Sequence, residues 1–158
     1  MNIDFIILAA GKGTRMGEDS PKVLASLAGK PMIQHLIDTV DSFQSSKTSI
    51  VVGYKSNEVE RDVVSQKKLR FVKQKNQLGT AHAVKQALPN IRKNSVAVIL
   101  YGDVPLVKKN TLNRLIKSAS KGKLSMLTFI KDDPTGYGRI IRSSKKSCLL
   151  YTSPSPRD

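Results

Sequence analysis

The sequence predicts an α/β domain built on a mainly parallel sheet, and three observations carry that prediction. Apolar runs of strand length alternate with segments whose apolar residues recur at helical spacing. One run, Ser95–Tyr101, is apolar almost without interruption, as expected of a strand buried on both faces. Three segments, the Gly11 loop, Gln74 to Thr80 and Tyr101-Gly102-Asp103, follow strand-like runs, where open α/β sheets bind ligands beyond the carboxyl ends of their strands.

Taken in order, the first strand is the apolar run around Asp4-Phe5-Ile6-Ile7, leading into Leu8-Ala9-Ala10-Gly11-Lys12-Gly13-Thr14-Arg15-Met16. Gly29-Lys30-Pro31 reads as a turn with Pro31 at the first helical position. Met32, Ile33, Leu36, Ile37 and Val40 then form one apolar helical face. Ser49 to Tyr54 is the second strand, followed by a polar helix around Glu58 to Gln66. Arg70-Phe71-Val72 is a short third strand ending near Gln74. Thr80 is placed to cap a helix carrying Ala81, Val84, Ala87 and Leu88, which Pro89 stops. After Ser95–Tyr101, Leu112, Leu115, Ile116 and Ala119 form a further helical face, and Leu124 to Ile130 is a further strand. Gly136 to Arg142 looks like a turn entering another strand. From Ser143 the pattern collapses, and Pro154 and Pro156 alternate with serine. We therefore expect a partial domain over 1–146, incomplete on its C-terminal side, and a foreign or disordered tail over 147–158.

Composition narrows the class. The chain has 158 residues, 25% charged and 39% hydrophobic, which fits one folded domain or a piece of a larger one. No apolar run approaches the roughly 18 residues of a spanning helix, and no leader-like segment opens the chain. The single cysteine, Cys148, allows no intrachain disulfide and no cysteine zinc cluster. A cytoplasmic protein is expected. The net charge of +15 raises a nucleic-acid reading, but the lysines are scattered and only 5% of residues are aromatic. No basic run is interleaved with stacking rings, so attraction of small anions is the better use of the charge.

Leu8 to Met16 suits phosphate binding, because glycines let backbone N–H groups approach an anion while Lys and Arg add charge. It is neither of the two best-known glycine motifs. Lys12 is followed by Gly13 where a P-loop needs Ser or Thr, and Met16 stands where a dinucleotide fingerprint needs glycine. Asp103, in Tyr101-Gly102-Asp103-Val104-Pro105, follows a strand and faces this loop in the predicted topology. A carboxylate there either caps the next helix or seats Mg²⁺, and the flanking Gly102 and opposed loop favour the metal. His82 lies two residues into a predicted helix, where a packing or polar role is favoured over catalysis; His35, between apolar helical positions, is assigned no role.

Together, Leu8 to Met16, Lys22, Gln77-Leu78-Gly79-Thr80-Ala81-His82, Tyr101 to Pro105 and Gly136 to Arg139 resemble the pyrophosphorylase domain of bacterial bifunctional N-acetylglucosamine-1-phosphate uridylyltransferases. The glycine loop alone would indicate only the wider sugar-nucleotidyltransferase group, which shares a Rossmann-like fold. The resemblance covers residues 3 to about 142 and implies transfer of UMP from UTP to N-acetylglucosamine-1-phosphate, with Mg²⁺. It implies that the backbone of Leu8, Ala9, Ala10 and Gly11 packs against the nucleoside, that Gly13 is a further substrate-binding residue, and that Arg15 and Lys22 are catalytic, holding the phosphates, with Arg15 stabilising the pentavalent charge at the α-phosphorus. By the same resemblance Lys12 meets the leaving pyrophosphate, and Gln74, Gln77, Gly79 and Thr80 read base and ribose. Tyr101, Gly102 and Gly138 would contact the sugar, and Asp103 would ligate Mg²⁺.

The family's domain runs roughly half as long again. The remainder carries a Glu and Asn that grip the sugar and an Asn that completes the metal site. A C-terminal β-helix that acetylates glucosamine-1-phosphate and makes the family's enzymes trimeric lies further on. We therefore expect this chain alone to be inactive or weakly active. Two other readings stay open: a nucleotidyltransferase for another base or acceptor, and a non-catalytic nucleotide- or nucleic-acid-binding module.

Overall fold

Strand β1 (Asn2–Ala9) is hydrophobic on both sides and is the spine of the chain. In the computed structural model, which describes residues 1–11, 20–135, 137–142 and 148–152, Phe5, Ile6 and Ile7 are wholly buried. Such a strand must be flanked and covered on both faces. Its parallel neighbours are β4 (Ser46–Val52) and β6 (Ser95–Tyr101), with β5 (Leu69–Lys73) beyond β4. The order β5-β4-β1-β6 reverses direction between β1 and β6, which makes the crevice above these two strands the expected ligand site. Rossmann-like parallel topology was legible in advance.

One face of the sheet is covered by α1 (Met32–Asp41), α2 (Ser56–Asp62) and α4 (Lys109–Ala119), which send Ile33, Leu36, Ile37, Val40, Val59, Leu112 and Ile116 against Phe5, Ile7, Ile50 and Val52. Each fully buried Ile or Leu contributes about 1.5–3 kcal/mol from burial. Phe5 and Phe43 add an edge-to-face ring pair at 5.2 Å. Helix α3 (Thr80–Ala87) covers the other face, laying Ala83 and Ala87 on Ile6, Ala10 and Val51. Among the described residues no helix is long and apolar enough to cross a membrane.

Between β1 and α1 a two-residue turn joins β2 (Ser26–Leu27) to β3 (Lys30–Pro31). Ala28 and Gly29 there both take positive φ, 49° and 78°, which matches the twist of a tight antiparallel hairpin. His35 Nε2 lies 2.7 Å from the Leu27 carbonyl, so this histidine ties α1 to the hairpin.

Several expectations need correction. Pro31 precedes α1 as its N-cap and is not its first residue. The polar helix ends at Asp62, because Val63 is extended, and does not reach Gln66. Gly79, at φ 95° and ψ −178°, is the N-cap of α3, with Thr80 the first helical residue; only glycine adopts that conformation without strain. Strand β6 is buried on one face alone. Val98 and Leu100 enter the core, whereas Ile99 and Tyr101 are about half exposed, because α3 lies over β1 and β4. Leu124 to Ile130 form no strand, and Leu124 and Ile130 stand almost fully exposed. An apolar run becomes a strand only where a ladder partner is available.

Contact density divides the chain into Met1–Ser125 and Met126–Asp158. The second unit contains an antiparallel pair, β7 (Arg139–Arg142) with β8 (Cys148–Thr152), and an edge-to-face contact between Phe129 and Tyr137. The strand after Gly136 thus matches expectation in place and type. Cys148–Thr152 lies inside the stretch set apart above as a tail.

Candidate functional site

Among the described residues, Leu8 to Gly11, the 74–80 segment and Asp103 come together at the carboxyl end of the sheet. Strand β1 delivers Leu8, Ala9, Ala10 and Gly11; Ala9 and Ala10 are buried and Gly11 is exposed. Lys12, Gly13 and Arg15, assigned to the phosphates and pyrophosphate, lie outside the described residues. Beside β1, the Gly102 N–H donates to the Leu8 carbonyl at 2.9 Å, extending the β1–β6 ladder by one step. A Cβ on Gly102 would come within 2.9 Å of Val23 Cγ1 and 3.0 Å of the Leu8 oxygen, so glycine is required by space. Gly102 therefore has a packing duty in addition to any sugar contact.

Lys22 comes from a single 3-10 turn, Lys22–Leu24, closed by Leu24 N–H to Pro21 O at 2.8 Å. Val23 anchors the turn in the core and leaves Lys22 exposed. Its ammonium donates to Asp103 Oδ2 at 2.8 Å, across 81 residues of sequence. The two candidate charges of the site, one expected to hold phosphate and one to hold metal, are thus brought into direct contact.

On the other side of β1, the 74–80 segment bends back over the sheet. The Gln74 N–H donates to Val52 O at 2.8 Å, continuing the β4–β5 ladder. The Gln74 side chain is buried, with Nε2 3.2 Å from Gly79 O and 3.0 Å from His82 Nδ1. Gln77 reaches 67 residues back to donate from Nε2 to the Ala10 carbonyl at 2.8 Å. Gln77 therefore joins the 74–80 segment to the root of the glycine loop. Thr80 is exposed at the start of α3, and Tyr101 is half exposed at the end of β6. Gly138 belongs to the second unit.

One residue of this site was missed. Gly53, directly after β4, would place a Cβ 2.9 Å from Ala10 O, 3.1 Å from Ala10 Cβ and 3.1 Å from Gln77 Nε2. The sequence signal was present, a glycine closing a buried strand, which marks close approach of another backbone. Gly53→Ala is expected to cost about 1–3 kcal/mol by overpacking and to weaken nucleotide binding, because the Gln77–Ala10 hydrogen bond must give way. Chemical denaturation and nucleotide titration of the variant check this, and an unchanged midpoint with unchanged binding would refute it.

The donor set suits a cation shared with a ligand. Among the described residues no three His, Cys, Asp or Glu side chains gather into a metal cluster. Mg²⁺ is commonly held by one or two carboxylates plus substrate phosphates, and Asp103, directly after the Gly102 that bonds Leu8, fits that pattern. The neighbouring Lys22 places a positive charge 2.8 Å from this carboxylate.

Comparison with known proteins agrees with this geometry. The MobA-like NTP transferase domain family matches residues 5–147. The chain is 48% identical over 145 residues to the bifunctional protein GlmU of Ruthia magnifica and 49% identical over 145 residues to that of Nitrosomonas eutropha. These matches cover 92% of the chain but only 32% of either relative, so the chain spans about a third of their length. Among solved structures, HddC from Yersinia pseudotuberculosis, complexed with GMP-PN, superposes with a TM-score of 0.68 at 22% identity, covering 95% of this chain and 68% of that one. Rv0371c from Mycobacterium tuberculosis, in complex with manganese, gives 0.63 at 20% identity, covering 77% and 61%. The structural likeness establishes the shared fold. With Leu8 to Gly11, the 74–80 segment and Asp103 at one end of a parallel sheet, and a family match over residues 5–147, the chain belongs to the MobA-like NTP transferase family.

Proposed function

We propose that the chain is the nucleotide-handling part of a cytoplasmic sugar-1-phosphate uridylyltransferase. The reaction would transfer UMP from UTP to N-acetylglucosamine-1-phosphate, releasing pyrophosphate and forming UDP-N-acetylglucosamine for cell-wall precursors. The observation that carries this reading is the convergence of Gln77 on Ala10 and of Lys22 on Asp103 at the same end of the sheet. Similarity to the GlmU proteins supports the choice of substrates.

In this reading the backbone of Leu8 to Gly11 packs along the nucleoside, and Gln74, Gln77, Gly79 and Thr80 surround base and ribose. Arg15 and Lys22 neutralise the phosphates, with Lys12 on the departing pyrophosphate. Tyr101, Gly102 and Gly138 serve the sugar. A phosphate oxygen of the sugar-1-phosphate attacks the α-phosphorus of UTP, and the bond from that phosphorus to the bridging oxygen of pyrophosphate breaks. The attacking oxygen is already anionic near neutral pH, so no general base is needed. Rate then comes from in-line positioning and charge neutralisation. Asp103 would hold Mg²⁺, which supplies positive charge to the triphosphate oxygens; the manganese complex of the structural relative is in keeping with a metal at such a site.

Titration of the chain with UTP, CTP, GTP and ATP in the presence of Mg²⁺ tests the base assignment. Preferred binding of UTP is expected, and equal binding of all four would overturn it. Pyrophosphate release from UTP and N-acetylglucosamine-1-phosphate is expected to be slight for this chain alone, which spans a third of its relatives. A rate equal to that of a full-length relative would refute that expectation. We also propose that residues 1–146 form the transferase portion and 147–158 do not belong to it, and that the relatives' longer chains assemble as homotrimers. The end of the family match at residue 147 supports the boundary.

A further inference from the structure

We propose that His82 is a positioning residue that fixes which way the Gln74 carboxamide faces, and so which hydrogen-bonding group Gln74 offers to a nucleobase. The argument is one of donors and acceptors. A backbone carbonyl can only accept, so the Gln74 atom 3.2 Å from Gly79 O must be its amide nitrogen. The same nitrogen lies 3.0 Å from His82 Nδ1. With one hydrogen on Gly79 O, its second points at Nδ1, which must therefore accept and carry no proton. A neutral imidazole with a bare Nδ1 holds its hydrogen on Nε2. The Gln86 carboxamide lies there with its nitrogen placed 3.1 Å from Nε2; an amide's two ends are assigned by their hydrogen bonds, and this one must be exchanged end for end so that Oε1 accepts the Nε2 hydrogen. Every hydrogen on this relay then has an acceptor.

Both hydrogens of the buried Gln74 amide are consumed within the protein, and Oε1 is the polar atom that remains. A base read by this residue must present a donor to Oε1, and the uracil ring N–H is one. Cytosine in the same position would set its bare ring nitrogen against Oε1, acceptor against acceptor, and must shift to offer its amino group instead. Without the Nδ1 acceptor the carboxamide loses one of the two contacts that distinguish its ends, and a half-turn would present the opposite group. His82 thus acts on the base through Gln74, without touching it.

The base-selecting part of this inference rests on the uridylyltransferase reading, whereas the relay itself does not. The test uses the 158-residue chain in two arms. Long-range proton–nitrogen NMR of His82 is expected to show the Nε2–H tautomer, and His82→Leu is expected to shift the Gln74 side-chain NH₂ signals. An Nδ1–H tautomer, or unmoved Gln74 signals in His82→Leu, would overturn the relay whatever nucleotide binds. In the second arm, the ratio of UTP to CTP affinity is expected to fall about tenfold in His82→Leu, the worth of one neutral hydrogen bond. His82→Asn, which restores an acceptor near the Nδ1 position, should recover most of it. A ratio unchanged in His82→Leu would refute the role in base selection. Failure of the unsubstituted chain to prefer UTP would instead refute the functional reading and this role with it, leaving the NMR arm to decide the relay.

Discussion

Asp103→Ala is expected to lower nucleotidyl transfer about 100-fold or more when the chain is joined to the remaining length of a full-length relative. Removing one charge-stabilising group from a phosphoryl-transfer site has effects of that order. Asp103 sits at the end of β6 with its carboxylate on Lys22 at 2.8 Å, and both side chains are more than a third exposed. An exposed pair of this kind is worth about 0–1 kcal/mol, so the substitution should leave the fold intact and separate function from stability. The variant also distinguishes two duties of the carboxylate. If Asp103 serves mainly to hold a divalent cation, Asp103→Ala should raise the Mg²⁺ concentration needed for UTP binding, while Lys22→Met weakens UTP with little change in that requirement. If Asp103 only orients Lys22, the two variants should behave alike in a Mg²⁺ titration. Activity within a few-fold of the unsubstituted protein would remove Asp103 from the site altogether.

The pair also shows what a sequence can and cannot disclose. Lys22 and Asp103 were each named from the sequence as candidate site residues, Lys22 through the family resemblance and Asp103 as a carboxylate following an apolar strand. Their mutual contact was not, because it depends on the 3-10 turn that Val23 pins beside Gly102. The mainly parallel sheet was readable from strand-like runs alternating with helical periodicity, and a near-continuous apolar run signals a strand buried on both faces. The same signal misled at β6, where composition matches β1 but α3 covers only its neighbours and leaves Ile99 and Tyr101 in solvent. It misled again at Leu124 to Ile130, whose apolar character says nothing of a ladder partner. At the start of α3, Thr80 was the better cap by residue type, yet the backbone needs φ 95° at the preceding position, and only Gly79 supplies it. Gln74 could be named as a site residue, but its bonds to Gly79 and His82 arise from a bend that spacing does not encode.

The largest stability effect is expected at Asp4, near the start of β1 and away from the candidate site at its carboxyl end. Asp4 interrupts an otherwise apolar strand, and its side chain is 3% exposed. A carboxylate so placed is tolerable only if paired. It accepts from the Arg92 backbone N–H at 2.8 Å and from the Arg92 guanidinium at 2.9 and 2.7 Å. The guanidinium also donates to Ile3 O at 2.8 Å and Ser45 O at 3.2 Å, so one side chain ties together the entries of β1, β4 and β6. Arg92→Ala should cost about 3–5 kcal/mol, because it strands a buried charge. Against a typical domain stability of about 5–15 kcal/mol, that leaves little reserve. Asp4→Asn keeps the shape and one acceptor oxygen, and should cost less.

The pH dependence follows from the same contacts. Burial pushes the Asp4 carboxyl up, but the hydrogen bonds and charge of Arg92 outweigh it and hold the group below its ordinary value. The unfolded chain therefore takes up this proton before the folded one does. The contribution is complete above the ordinary carboxylate pKa of about 3.9, and is lost as pH falls from there through the lower folded value. Asp38, held down against burial by Lys30 and Gln34, contributes in the same direction, so the overall acid slope is not specific to Asp4. The difference between the unsubstituted chain and Asp4→Asn is specific. Urea midpoints measured from about pH 7 to about pH 3 should differ by a constant amount until the carboxylate range is entered, and then converge. Curves that stay parallel through that range would show that Asp4 is not the charged anchor of this end of the sheet.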